Sequence, residues 1–172
     1  MSRRQLCSLA QRLVAAAVLL SASVVTAAAE PEIRPWTDGE TPLRAHFKSG
    51  TWTLVMFWSV TCSICAVETP ALNSFYKAER DNGVHLLGVS IDGGARRDEV
   101  AQWMKRHHMG FPTLLGELRS IAVFFDTSTQ EPFRGTPTFL LYDRSGRLVG
   151  MNTGPVRAQA IKDFIARKER GR

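Results

Sequence analysis

A chain of 172 residues with 44% hydrophobic and 22% charged residues has the make-up of one soluble globular domain. It is long enough for a true core and too balanced for a fibre, a disordered tail or a disulfide-stapled miniprotein. Its formal charge of +6 falls when Arg3, Arg4 and Arg12 are set apart with residues 1–29, which leaves 19 basic against 16 acidic residues, a net of +3; such scattered charge argues against nucleic acid or an anionic membrane surface as partner.

Those three arginines, the uncharged run Leu13 to Ala29 and the small residues Ala27, Ala28 and Ala29 follow the three-part plan of a secretory signal peptide. The run has 17 residues, short of the roughly 20 of a spanning helix. Cleavage is therefore expected, with an uncleaved anchor as the alternative. Cleavage would remove Cys7 and leave only Cys62 and Cys65, both within one C-x-x-C. An exported protein that keeps a single close pair uses it for redox chemistry or for a metal.

Residues 30–50 are rich in proline, glycine and charge and read as a lead-in, with Leu43 to Phe47 a candidate short strand. Thr51 to Trp58 is β-branched, aromatic and almost continuously apolar, as a strand buried on both faces requires. It runs straight into the cysteines. Ala66 to Asn82 has helical character, with a kink expected at Pro70 and a left-handed glycine, Gly83, at its end. Val84 to Ile91 reads as a second strand and Ala95 to His108 as a second helix. Phe111 to Leu115 is a short extended piece, Arg119 to Phe125 a short helix, and Thr127 to Gly135 an irregular loop. Pro137 to Tyr142 and Arg147 to Met151 flank the turn-forming Asp143-Arg144-Ser145-Gly146, a hairpin pattern. From Pro155 to about Arg167 a helix carries Val156, Ala160, Ile161, Phe164 and Ile165 on one face. Alternating strands and helices followed by a late hairpin predict an α/β domain with a mixed central β-sheet and helices on both faces.

A C-x-x-C that opens a helix places two thiols on one helical face at disulfide distance. The first cysteine also lies among unpaired amide donors at the positive end of the helix dipole, so its thiolate is favoured and its pKa is expected below the free value of about 8.5. Cys62 is the expected nucleophile, and Cys65, one turn inward, the resolving thiol that releases a mixed disulfide. An inert structural disulfide is disfavoured because so small a loop constrains the unfolded chain little.

Two longer segments carry a family resemblance. Phe57-Trp58-Ser59-Val60-Thr61-Cys62-Ser63-Ile64-Cys65-Ala66-Val67-Glu68-Thr69-Pro70 resembles the F-W-x-x-W-C-x-P-C-x-x-E-x-P signature of the TlpA-like and ResA-like exported thioredoxins. Gly135-Thr136-Pro137-Thr138-Phe139-Leu140, followed by Asp143 to Arg147, is similar to their G-T-P-T-x-F-L-I-D-x-x-G segment, about 70 residues further on. The resemblance spans roughly residues 40–165 and implies a thioredoxin-like fold over residues 40–168. It implies dithiol-disulfide exchange with protein substrates, no organic cofactor, and a location in the periplasm, free or anchored to the inner membrane. It favours a reductant fed by a membrane electron donor and serving cytochrome c maturation or oxidase assembly, although a general oxidant stays open. It makes Pro137 a cis-proline facing the cysteines, with the Thr136 backbone free to pair with a substrate peptide. Glu68 becomes a carboxylate that handles the proton of Cys65, and Trp58 an aromatic near the substrate, or else a core residue. Thr61 and Ile64 depart from the signature where it has tryptophan and proline, positions that tune the redox potential.

A Cu(I) chaperone is the reading from another class, since soft thiolates suit Cu(I) and His46, His85, His107 and His108 are candidate third ligands. Haem attachment is excluded by Ala66, where C-x-x-C-H needs histidine. Ser59-Val60-Thr61-Cys62 fits the T/S-x-x-C fragment of the peroxiredoxins, but Val55 stands where those carry proline and Cys65 favours dithiol exchange.

Overall fold

The computed structural model describes residues 33–36 and 42–171. The expected leader at residues 1–29, and with it the choice between cleavage and anchoring, lies outside them. Among the described residues no helix is long and apolar enough to cross a membrane.

Among the described residues six strands form one mixed sheet in the order β1-β4-β3-β2-β5-β6. They are β1 (Ile33–Pro35), β2 (Trp52–Trp58), β3 (Val84–Ser90), β4 (Thr113–Leu115), β5 (Thr138–Tyr142) and β6 (Leu148–Thr153). β1, β4, β3 and β2 run parallel to one another, while β5 is antiparallel to both β2 and β6. The α-helices among the described residues are α1 (Ser63–Glu79), α2 (Arg97–Arg106), α3 (Leu118–Thr129) and α4 (Ala158–Arg170).

β2 is buried at every residue, and its alternation sorts the core into two layers. Trp52, Leu54, Met56 and Trp58 pack with Leu72 and Phe75 of α1, Trp103 of α2 and Ile161 and Ile165 of α4. Val55 and Phe57 face the other way, toward Ile121 and Phe125 of α3, Leu87, Val89 and Leu140. The period-2 geometry of a central strand thus supplies both faces of the molecule, and the expected sheet with helices on both sides is present.

The local differences have physical causes. Leu43–His46 is a 3-10 turn rather than a strand, tied by the Ala45 amide to the Pro42 carbonyl at 2.8 Å. β1 was not expected; three residues ending in proline carry little periodicity, and pairing with β4 alone at the sheet edge makes them a strand. α1 starts three residues earlier than expected and runs on through Pro70. α3 continues to Thr129 through residues that read as loop, with the Thr127 and Thr129 hydroxyls turned back onto the carbonyls of Val123 and Phe125 at 3.0 and 2.8 Å.

At the β5–β6 turn, buried Asp143 accepts hydrogen bonds from the hydroxyl and amide of Ser145 and from Arg147. Burial works against its charge, yet these bonds prevail and hold its carboxyl well below the usual carboxylate range.

Candidate active site

β2 ends at Trp58 and the chain turns once before α1. The Cys62 amide closes that turn on the Ser59 carbonyl at 3.1 Å. Cys62 is the N-cap of α1, in an extended conformation that leaves its side chain beside the first helical amides. Its sulfur accepts the Cys65 N–H at 3.1 Å. Cys62 and Cys65 are joined in a disulfide with Cα atoms 5.2 Å apart. Cys62 is half-buried while Cys65 is fully buried. An attacking protein can therefore reach one sulfur and not the other. Apolar Ile64 and Val67 are exposed beside them, at 45% and 79%, so part of the rim of the site is apolar.

The Thr136–Pro137 peptide is cis. The register pairs Phe57 with Thr138, so Pro137 stands at the end of the sheet from which β2 runs into Cys62. Thr136 is half-buried, and the Thr138 hydroxyl donates to the Gly135 carbonyl at 2.6 Å, tightening the bend before β5.

Glu68 follows Cys65 by one turn of α1 and is half-buried. Its Oε2 accepts the Val156 amide at 3.0 Å, which ties α1 to the loop ahead of α4. Trp58, expected beside the substrate or in the core, is in the core. It is fully buried, with its ring centroid 4.5 Å from that of Trp103.

Sequence reasoning missed Asp92, which follows β3 and turns a buried side chain toward the turn that leads to Cys62. It accepts the Ser59 hydroxyl at 2.9 Å and the Val60 amide at 3.0 Å. A signal for it exists in its place just past the end of β3, because sites in open α/β sheets gather at the carboxyl ends of parallel strands.

The four histidines fall at three places in the fold, His107 and His108 being neighbours in the turn that ends α2. His46 is in the 3-10 turn and His85 in β3 against Tyr76, while His107 lies on Trp103 and His108 has a φ of 50°. Burial, and then the neighbouring positive charge of Arg34 and Lys48 respectively, lowers the pKa of His46 and His85. Among the described residues no three His, Cys, Asp or Glu side chains gather as a metal-binding group.

The profile of the AhpC/TSA family matches residues 26–151. The thiol-disulfide oxidoreductase ResA of Bacillus subtilis is 27% identical over 116 residues, covering 67% of this chain and 60% of that protein. The sporulation thiol-disulfide oxidoreductase A of the same organism is 25% identical over 67% of each chain. The chain thus spans about 60% of the length of the ResA it matches. Among solved structures, the thioredoxin domain of a thiol-disulfide oxidoreductase from Bacteroides vulgatus has a TM-score of 0.57 at 24% identity, covering 67% of this chain and 80% of that one. StoA from Bacillus subtilis has a TM-score of 0.55 at 24% identity, covering 69% and 84%. A six-stranded sheet with a disulfide at the start of α1, these likenesses and the profile match over residues 26–151 together establish that the chain has a thioredoxin fold and belongs to the AhpC/TSA family.

Proposed function

We propose that this chain is an exported thiol-disulfide oxidoreductase that reduces disulfides in other proteins. The observation that carries the reading is the asymmetry of the pair: a half-buried Cys62 at a helix start, with its sulfur on the Cys65 amide, above a fully buried Cys65. In the reduced chain the same amide faces a thiolate and favours it. The Cys62 thiolate attacks a substrate disulfide, forming a mixed disulfide and expelling one substrate thiolate. Cys65, its proton passed to Glu68, then attacks Cys62 Sγ, so the second substrate thiolate leaves and the Cys62–Cys65 disulfide forms. Two electrons have passed to the substrate, and a membrane donor protein returns them to the chain. Thr136 offers backbone pairing to the substrate strand, and Ile64 and Val67 offer apolar contact beside the sulfur. Cytochrome c maturation and oxidase assembly both present such substrate cysteines in the periplasm. The buried second cysteine supports dithiol exchange over a peroxidase cycle within the same family.

The test is equilibration of the full chain with glutathione buffers, followed by thiol trapping and mass spectrometry, which also reads whether the mature N-terminus lies just past Ala29. A potential near that of thioredoxin, about −270 mV, is expected for a reductant; one near −120 mV would make the chain a disulfide donor. Tight Cu(I) uptake without disulfide turnover would overturn the oxidoreductase reading in favour of metal transfer.

A further inference from the structure

The Asp92 side chain is 2% exposed, and four donors converge on it. The Ser59 hydroxyl and Arg96 Nη1 reach Oδ1 at 2.9 and 3.0 Å, and the Val60 amide and Ser90 hydroxyl reach Oδ2 at 3.0 and 2.8 Å. Two of these donors belong to the segment between β2 and Cys62. The bonding continues along that segment: the Thr61 amide donates to the Ser59 hydroxyl at 3.2 Å, the two hydroxyls lie 3.1 Å apart, and the Cys62 amide donates to the Ser59 carbonyl. Every peptide N–H from Val60 to Cys62 is therefore fastened to Asp92 or to Ser59, which Asp92 itself holds.

From this convergence we infer that Asp92 is a positioning residue for Cys62, fixing the turn that sets its sulfur on the Cys65 amide. The inference rests on the thiol-disulfide reading and adds to it a residue that touches neither sulfur nor substrate. A carboxylate suits the place because it only accepts, whereas an asparagine has one acceptor oxygen and would aim its own donors at some of the four that now converge. The charged groups around Asp92 are Arg96, which also binds Glu99 at 2.7 Å, and Glu117, which takes the Gly94 amide at 2.8 Å. Arg96 offsets the carboxylate charge, so the larger effect on Cys62 is order in the turn. With the turn loosened, the Cys62 thiolate loses its held amide and the reduced form loses stability relative to the disulfide.

The test compares the full-length wild type with Asp92→Asn, with Ser59→Ala, which removes the relay hydroxyl without touching the buried charge, and with Arg144→Gln. The last breaks the pairing of Arg144 with Glu169 at the other end of the sheet and serves as a control for loss of stability. Two quantities are read: the equilibrium with glutathione and the rate of Cys62 alkylation by iodoacetamide at neutral pH. Asp92→Asn is expected to shift the equilibrium about tenfold toward the disulfide, about 30 mV, and to slow alkylation by a similar factor. Ser59→Ala should move both in the same direction by about threefold, and Arg144→Gln should move neither. Wild-type equilibrium and alkylation rate in both Asp92→Asn and Ser59→Ala would overturn the inference; if Asp92→Asn does not fold, Ser59→Ala decides alone. A wild type that exchanges no disulfide with glutathione sinks the oxidoreductase reading instead, and the alkylation rates then still report whether Asp92 positions Cys62.

Discussion

Cys62→Ser is expected to lower disulfide exchange on the order of a thousandfold or more, because the one sulfur of the Cys62–Cys65 pair that an attacking protein can reach is gone. Cys65→Ser should behave differently. Cys62 still attacks, but with no inward thiol to resolve it the mixed disulfide accumulates and appears as a covalent adduct on a non-reducing gel. The reverse pattern, with adducts on Cys65 and none on Cys62, would contradict the burial of Cys65 and exchange the two roles. Glu68→Gln separates the steps further. If the carboxylate takes the proton of Cys65, the adduct should form at the normal rate and resolve on the order of a hundredfold more slowly. Resolution at the wild-type rate would leave Glu68 with the task the geometry shows directly, holding the Val156 amide at 3.0 Å.

The parts of this molecule that were legible in the sequence are those governed by local chemistry. β2 was readable because seven consecutive residues are buried and chosen accordingly. The hairpin was readable because Asp143 to Gly146 is turn chemistry whatever surrounds it. The cysteine pair and Thr136-Pro137 were readable as motifs, and the sheet unites them by pairing Phe57 with Thr138. What escaped depends on partners distant in sequence. β1 is a strand only because β4 lies beside it. Asp92 matters only because the turn at Ser59 and Val60, more than thirty residues earlier, folds over it. Trp58 fitted two roles because an aromatic at a strand end serves equally as a core residue and as a wall of a site; its burial separates them.

That burial makes Trp58→Ala the change expected to cost most in stability. The indole is 0% exposed, lies on Trp103 and packs over Gly88, where a Cβ would come within 3.0 Å of its Nε1. The strand glycine leaves the space the indole fills. Removing so large a side chain leaves a cavity that β2, β3 and α2 cannot close, at a cost of about 3–5 kcal/mol, seen as a lower urea midpoint and a Tm lower by roughly 10 °C or more. Trp58→Phe keeps part of the contact and should lose less. Both variants, assayed well below their melting temperatures, should retain most of the exchange rate, because the indole lies beneath the site rather than in it. If Trp58→Phe keeps wild-type stability and loses exchange tenfold, the tryptophan belongs to the substrate surface, and the core arrangement around Trp103 and Gly88 does not describe the working protein.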